Sequence, residues 1–432
     1  QIKQPELNIP DNCVSIEINA FALQQYITKV VIPSGVTTIG DGAFHDCRVL
    51  KEVVFEYDEN GQNQLAALGV SNNSYGVFQN CYSLTKIVLP DNKLNVTTAY
   101  PNGVIHDKTF YGCVSLEKLG VTPAEVKDIA NLGNGVYIPS SLTAIGTKTK
   151  QNSSGTAVCG AFQKCLALES VTLPAGIQQL NDLTFSECSS LTKIAYVGAP
   201  ENEDGTVDNA LPNTLQVIGT YMFYKNASLS SLTLPTNTKY TALKHSMFRE
   251  SGITSITIPA NVNTIGNDKS ASNVFQDCKN LETVTIANTA KLTTVGALAF
   301  AGCVKLKTID ISGAKNLGSK VFQNCTALES VKLCSTATEL GGNMFENCTS
   351  LTGVQMKEDG TPDFDENGNY KYNFELPSSL VYLASSAFTG SGLIAIRIPA
   401  KVLALTNSAS YAKTIKAANY NTARSAFKDC AD

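Results

Sequence analysis

The sequence contains no tryptophan, only three histidines and few charged residues, which make up 16% of its 432 positions. It has no apolar run of about 18 residues, so it predicts no transmembrane helix. The 33 lysines and arginines are outnumbered by 37 aspartates and glutamates, and nucleic acid or an anionic membrane is therefore not expected as a partner. The 13 cysteines are too few for a disulfide scaffold and include no C-x-x-C pair. An apolar fraction of 43% excludes a disordered chain.

What the chain does contain is an internal repeat. A Phe-x-x-Cys-x-x-Leu-x-x-Ile-x-Leu pattern begins at Phe78 and recurs, with Val in place of Ile, from Phe162 and Phe322. An Ile-Pro-x-x-Val-x-x-Ile-Gly pattern, as at 32–40, then leads to the next phenylalanine. Of the 17 phenylalanines, 14 anchor the repeat, namely Phe21, Phe44, Phe78, Phe110, Phe162, Phe185, Phe223, Phe248, Phe275, Phe300, Phe322, Phe345, Phe388 and Phe427. A residue type confined to one register is predicted to fill a core.

The repeat predicts a solenoid. Its Ile-x-Leu stretch alternates inward and outward positions as a strand does. A repeat of this length is too short to close a core of its own, so each coil must stack on its neighbours. We therefore expect one domain over residues 1–432, mainly β with short helical turns. It would form a stack of about 14 coils, with residues 1–20 as an N-terminal partial repeat or cap.

The repeat also resembles a known family. The patterns Leu-x-x-Ile-x-Leu-Pro, Val-x-x-Ile-Gly and Ala-Phe-x-x-Cys, spread from Ile9 to Cys430, resemble the BspA-like leucine-rich repeat family of bacterial surface proteins. The resemblance implies a right-handed leucine-rich repeat stack in a secreted or cell-surface protein that binds host or microbial macromolecules. Such proteins are often lipid-anchored. Because the chain begins at Gln1, we expect that an N-terminal segment has been removed.

Insertions interrupt the repeat at about 56–77, 122–158, 197–215, 357–375 and 406–424. The ones up to residue 375 lengthen the arm between a strand end and the next phenylalanine, which predicts that they project from one side. Loops displayed on a rigid scaffold are frequent binding sites. In the longest insertion, Thr122, Pro123 and Glu125 predict a helix with a capping box. We expect that a short turn could replace residues 122–158 without loss of the fold.

Ten cysteines share the third position after an anchoring phenylalanine: Cys47, Cys81, Cys113, Cys165, Cys188, Cys278, Cys303, Cys325, Cys348 and Cys430. The same position holds Gln24, Asn226, Ser251 and Ser391 in other repeats. A position that accepts these residues favours a ladder of small buried side chains that pack or hydrogen-bond weakly. Disulfides and metal binding are the alternatives. Cys159 lies in an insertion and is predicted to be the thiol that reacts in the native protein.

Catalytic patterns are absent from the sequence. No Gly-x-Ser-x-Gly elbow occurs, and the three histidines lie in different repeats, with His45 predicted to be a solvated turn residue. We therefore expect no enzyme and no cofactor. The best metal candidate is calcium at Asp363, Asp365 and Asn367, although the glutamate that would close such a loop is missing. A hairpin turn is the simpler alternative, shared with the acidic turns at 58–61 and 203–205.

The leading functional hypothesis is non-enzymatic binding or adhesion at a bacterial cell surface, to a protein or a glycan, by a monomer. The alternative is a structural spacer on the envelope without a ligand of its own. Tyrosines favour the insertions as the binding surface, through Tyr137, Tyr370 and Tyr372. Outward positions of the strand face, represented by Lys332, Gln355 and Arg397, form the competing surface.

Overall fold

A computed structural model describes residues 5–69, 75–147, 159–266, 272–399 and 402. The chain divides into two compact units, residues 1–239 (unit 1) and 240–432 (unit 2). Each unit is described by itself. That both belong to one uninterrupted solenoid of about 14 coils stays a prediction of the repeat pattern.

Short strands dominate both units. In unit 1 the elements are β1 (Glu6–Asn8), β2 (Ser15–Ile16), β3 (Lys29–Ile32), β4 (Thr38–Ile39), β5 (Glu52–Phe55), β6 (Ala67–Leu68), β7 (Lys86–Val88), β8 (Val104–Ile105), β9 (Lys118–Val121), α1 (Val126–Ile129), β10 (Gly135–Ile138), β11 (Ala144–Ile145), β12 (Ser170–Leu173), β13 (Gln179–Leu180), β14 (Lys193–Tyr196) and β15 (Val217–Ile218). In unit 2 they are β16 (Ala242–Leu243), β17 (Ser255–Ile258), β18 (Thr264–Ile265), β19 (Thr283–Ile286), a 3-10 turn (Thr289–Lys291), β20 (Thr294–Val295), β21 (Thr308–Asp310), β22 (Asn316–Leu317), β23 (Ser330–Lys332), β24 (Glu339–Leu340) and β25 (Tyr382–Leu383).

The strands that end the phenylalanine arms pair in parallel. In unit 1 they form one sheet in the order β1-β3-β5-β7-β10-β9-β12-β14. Equivalent repeat positions face each other, as Val30 faces Val53 and Val53 faces Ile87. Residues that point inward are buried and their neighbours are partly exposed, as in β3 and β5. Unit 2 repeats the arrangement in the pairs β17-β19 and β21-β23. The predicted alternating strand is confirmed.

The Val-x-x-Ile-Gly arms form a second set of parallel rows. Unit 1 contains β2-β4-β6 and β8-β11-β13-β15, and unit 2 contains β16-β18-β20-β22 and β24-β25. Inward residues of these arms, such as Ile39 and Leu180, are fully buried. The two sets of rows enclose the core, so each unit is a stack of coils that consists, in its described residues, almost entirely of strands and turns.

A phenylalanine ladder fills the core. Within unit 1, consecutive rings from Phe21 to Phe185 stack with centroids 5.1 to 5.9 Å apart. Within unit 2, rings from Phe248 to Phe388 stack at 5.2 to 5.7 Å. The second residue after each of these rings has a positive φ, for example Asn80 at 59°. This geometry explains why Asn, Asp and Gly recur there.

A thiol ladder runs beside the rings. Its nine described members are Cys47, Cys81, Cys113, Cys165, Cys188, Cys278, Cys303, Cys325 and Cys348, and all are buried. Each Sγ donates to the carbonyl oxygen of the preceding coil's phenylalanine, at S···O distances of 2.9 to 3.3 Å. Burial raises the pKa of these thiols, that of Cys188 to about 12. The predicted ladder of small, weakly hydrogen-bonded side chains is confirmed for these nine, whereas Cys430 lies outside the described residues.

The structure corrects the interpretation of residues 122–158 as a dispensable loop. Strand β10 lies inside the large sheet, between β7 and β9, and pairs in parallel with both. Strand β11 follows it in the second row, between β8 and β13. The segment 122–147 is therefore part of the scaffold, although it supplies no phenylalanine of its own.

The second row accommodates the extra strand through one side chain. Asn95 has a positive φ, and its amide bridges β6 and β8, since Nδ2 donates to the carbonyls of Leu68 and Val104 at 3.0 Å each. Its Oδ1 accepts the N–H of Leu68 at 3.0 Å. The large sheet contains β10 as an extra strand. In the second row, the side-chain amide of Asn95 takes the place of a corresponding extra strand.

Two local predictions are wrong. Helix α1 begins after Glu125 without a side-chain cap, and Thr122 donates its hydroxyl to the Leu89 carbonyl at 2.8 Å instead. His45, predicted to be solvated, is 7% exposed. Its Nδ1 lies 3.1 Å from Oδ2 of Asp46, and its ring stacks on Tyr75 with centroids 4.1 Å apart. Both residues are held by contacts between coils, which the one-dimensional pattern does not reveal.

The remaining insertions are narrower than their predicted ranges. The Leu-Pro-x-x-Leu-x-x-Ile-Gly pattern resumes at 211–219, and Leu65, Leu68 and Phe374 are buried within the ranges 56–77 and 357–375. The predicted insertion at 406–424 lies outside the described residues. In the part of the chain that the structure describes, no helix has the length and apolar character needed to cross a membrane.

Candidate functional site

Residues 354–373 of unit 2 leave the parallel rows and form a small lobe. The N–H of Gln355 donates to the carbonyl of Lys371 at 2.7 Å, Lys371 donates to Asp363 at 3.1 Å, and Asp363 donates to Gln355 at 2.8 Å. These residues are eight positions apart, so the lobe repeats with a period of eight. Gly360 and Gly368, at φ of 79° and 77°, close its two turns in the left-handed conformation that favours glycine.

Carboxylates stabilise the turns of the lobe. Asp365 Oδ1 accepts the N–H groups of Asn367 and Asn369 at 2.9 and 2.8 Å. Asp359 Oδ1 accepts both the N–H and the hydroxyl of Thr361. These hydrogen bonds favour the ionised form and lower the pKa of both carboxyl groups.

The hairpin interpretation of the three acidic turns is confirmed. In unit 1, Asp58 accepts the N–H groups of Asn60 and Gln62, and Gly61 has a φ of 72°. The turn at 203–205 has the same left-handed glycine, with Gly205 at 77°. All three acidic sequences are thus explained by turn formation.

The three calcium candidates take part in hydrogen bonds of the lobe. Asp363 Oδ2 accepts a hydrogen bond from Nζ of Lys371 at 2.8 Å, which is also an ion pair. Asp365 faces its own turn, and Asn367 contributes its backbone N–H. Across the described ranges, no three His, Cys, Asp or Glu side chains are grouped closely enough to hold a metal ion. Metal binding is not part of the function proposed below.

An aromatic strip crosses the lobe, consisting of Phe364, Tyr370, Tyr372 and Arg397. The Phe364 and Tyr370 rings stack at 4.9 Å, and Tyr370 meets Tyr372 edge-on at 6.4 Å. The guanidinium carbon of Arg397 lies 4.3 Å from the centre of the Tyr372 ring. Three predicted partner-binding residues are therefore brought together, although two of them had been assigned to loops and one to the strand face.

Two exposed apolar side chains of the lobe were missed from the sequence. Phe364 is 42% exposed and Met356 is 39% exposed. Phe364 is one of three phenylalanines outside the repeat register. Its position outside the register could have indicated its exposure from the sequence, because a phenylalanine that does not belong to the ladder need not be buried.

The other predicted site residues lie apart from the strip. Gln355 contributes its backbone to the lobe, and Lys332 pairs with Asp310 on the neighbouring strand at 3.1 Å. Tyr137 is a correction, since it lies in β10 and is only 4% exposed. Its ring covers Gly120 on the adjacent strand, where a Cβ atom would lie 2.8 Å from the ring. Tyr137 therefore stabilises the sheet and is not available to a partner.

Comparison with known families decides the identity of the repeat. The model of the BspA type leucine-rich repeat region, in six copies, matches residues 1–156, 71–197, 158–269, 268–367 and 364–431. The chain belongs to the BspA-type leucine-rich repeat family. This membership confirms the resemblance and accounts for the period, the phenylalanine ladder and the parallel rows. A comparison with curated proteins finds no match.

One solved structure supports this fold, and two others are similar in sequence. A leucine-rich repeat protein from Bacteroides ovatus is 22% identical, with a TM-score of 0.53, over 94% of this chain and 84% of that chain. One from Eubacterium ventriosum is 19% identical, with a TM-score of 0.49, over 91% and 84%. A leucine rich cell surface protein from Faecalibacterium prausnitzii is 23% identical, with a TM-score of 0.42, over 80% and 86%.

Proposed function

We propose that this BspA-type protein acts at a bacterial cell surface as a non-enzymatic binding protein and engages a macromolecular partner through the lobe at 354–373. The observation that carries the proposal is the aromatic strip together with exposed Met356. Aromatic residues, methionine and arginine are enriched where protein interfaces concentrate their binding energy. The phenylalanine and thiol ladders are buried and offer a partner nothing comparable.

Two features make the lobe suitable for binding. Its turns are held by hydrogen bonds that the carboxylates of Asp359 and Asp365 accept, so little order has to be gained when a partner binds. Its strip continues through Arg397 onto the neighbouring coil, which ties the lobe to the scaffold. The strand face and the lobe therefore meet at Arg397, and the competing hypotheses for the binding surface share this residue.

A screen of the purified protein against matrix proteins, mucins and glycans tests the proposal. We expect saturable binding to at least one partner, and a Phe364→Ala/Tyr370→Ala variant should bind it more weakly. The matched control is Tyr26→Ala/Leu166→Ala, which removes exposed apolar side chains from unit 1, where they are 80% and 46% exposed.

Two results contradict the proposal. If both variants bind like the native chain, the lobe is not the site. If no member of the screen binds saturably, the spacer role on the envelope replaces the binding role.

A further inference from the structure

The lobe is acidic. Together with Glu375, two positions after its end, the lobe contains six acidic and two basic side chains, a net charge of −4, equal to that of the whole chain. The acidic residues are Glu358, Asp359, Asp363, Asp365, Glu366 and Glu375. Residues 201–208 of unit 1 carry the same net charge through Glu201, Glu203, Asp204 and Asp208, so negative potential is not confined to the lobe.

Part of this charge is directed outward. Asp359 and Asp365 accept hydrogen bonds within their turns, and Asp363 pairs with Lys371. The three glutamates are exposed, and within the described residues none of them is in an ion pair. Their side chains are therefore open to solvent, and their charge is available to a partner.

A contact within the chain indicates that the aromatic rings of this strip can bind a cationic group. The guanidinium of Arg397 lies over Tyr372 at 4.3 Å, close enough for attraction to the negative face of the ring. Phe364 and Tyr370 continue the same strip, and Phe364 is 42% exposed. A cation supplied by a partner would find there the ring surface that Arg397 uses within the chain. An anionic glycan or a nucleic acid would meet the three glutamates and be repelled.

We propose that the partner of the lobe is a basic polypeptide segment in which arginine or lysine side chains alternate with apolar ones. The cationic groups lie against the Phe364–Tyr370 rings and the glutamates, and the apolar side chains cover Met356 and Phe364. This inference rests on the proposed function and adds the chemical class of the partner.

Fluorescence anisotropy with three labelled short peptides tests the inference on the full chain. One peptide alternates Arg and Leu, the second replaces Arg by Glu, and the third replaces Leu by Ser. We expect saturable binding of the Arg–Leu peptide, weaker binding of the Arg–Ser peptide and none of the Glu–Leu peptide. Raising the salt from about 50 to about 300 mM should weaken the Arg–Leu complex severalfold, because exposed charges are then screened.

A charge-matched pair of variants locates the site. Glu358→Gln/Glu366→Gln/Glu375→Gln removes two exposed charges from the lobe and the exposed charge of Glu375 just after it. This change should lower the affinity for the Arg–Leu peptide about tenfold, since each charge near a bound cation contributes at the surface. Glu59→Gln/Glu201→Gln/Glu203→Gln removes the same charge from exposed turns of unit 1 and should leave the affinity unchanged.

Equal losses in the two variants, or binding of the Glu–Leu peptide as tight as that of the Arg–Leu peptide, would overturn the inference. If no basic peptide binds while the Phe364→Ala/Tyr370→Ala change still weakens a partner from the screen, the proposed function stands and the assignment to basic segments is wrong. If neither the peptides nor the screen reveal binding at the lobe, both fail.

Discussion

Residues 122–147 of unit 1 and residues 354–373 of unit 2 both interrupt the repeat near the end of a phenylalanine arm. The first segment returns to the sheet as β10, and Val136, Ile138, Leu142 and Ile145 are at most 1% exposed. The second closes on itself through the hydrogen bonds of Gln355, Asp363 and Lys371 and keeps Phe364 outside. Insertion length therefore does not reveal whether a segment belongs to the scaffold or to a displayed surface. What separates the two is whether the segment repeats the core pattern.

The largest expected effect comes from exchanging each segment for a short turn. Replacing residues 122–146 removes two paired strands and several buried aliphatic side chains, each of which contributes about 2–5 kcal/mol. Because domains are stable by about 5–15 kcal/mol, unit 1 should not fold. Replacing residues 357–372 should leave thermal unfolding nearly unchanged, since loop length alters closure entropy only slowly. Circular dichroism melts of the two variants provide the comparison, and a folded first variant would make β10 dispensable.

The next largest effect is the difference in unfolding free energy between replacing a buried and an exposed phenylalanine. Phe275→Ala removes a fully buried ring between Phe248 and Phe300 and should cost about 3–5 kcal/mol of unfolding free energy. Phe364→Ala should cost less than about 1 kcal/mol, because its ring is largely exposed. Urea titration of both variants gives the two values. Similar losses would show that the lobe is packed as tightly as the ladder.

The free energy of unfolding should depend on pH through the buried thiols of the scaffold. Burial raises the pKa of Cys303 well above 9.0, so its thiol stays protonated in the folded chain while it ionises in the unfolded one. The contribution of this thiol to the free energy of unfolding is present below pH 9 and is lost as the pH rises above 9. Between native protein and Cys303→Ser, the slope of unfolding free energy against pH above 9 should differ by about 1.4 kcal/mol per pH unit. Identical slopes would mean that this thiol titrates alike in both states.

The smallest effect concerns one turn of the lobe. Asp365→Ala removes the acceptor for two N–H groups, so limited proteolysis should cut the lobe faster while the melting temperature stays the same. Glu366→Ala, next to it and exposed, is the control and should be cut at the native rate. A lowered melting temperature for Asp365→Ala would indicate that the lobe supports the scaffold.

Sequence reasoning identified the solenoid, the strand positions and both ladders, because each depends on residues repeated at equivalent positions. It did not recognise β10 as a strand of the large sheet, although the stretch from Val136 through Ile138-Pro139 to Gly146 repeats the strand end and the following arm. An extra strand without a phenylalanine cannot be recognised from a register that phenylalanine defines.

The site was predicted only in part. Tyr370, Tyr372 and Arg397 were named, yet their convergence with Phe364 depends on an eight-residue turn repeat. Tyr137 was misassigned because its exposure depends on Gly120, a neighbour in the sheet 17 positions earlier in the chain. Contacts between coils decide burial in both cases, and they are not visible in the spacing of any single repeat.

Hydrogen exchange followed by mass spectrometry tests the division between scaffold and displayed lobe most directly. Amides in 135–146, which include Gly135 bonded to Thr85 and Gly146 bonded to Ile105, should exchange only when unit 1 unfolds. Amides in 357–371 should exchange much faster, through local opening of the lobe. Fast exchange in 135–146, or protection of 357–371 equal to that of the phenylalanine ladder, would contradict the account.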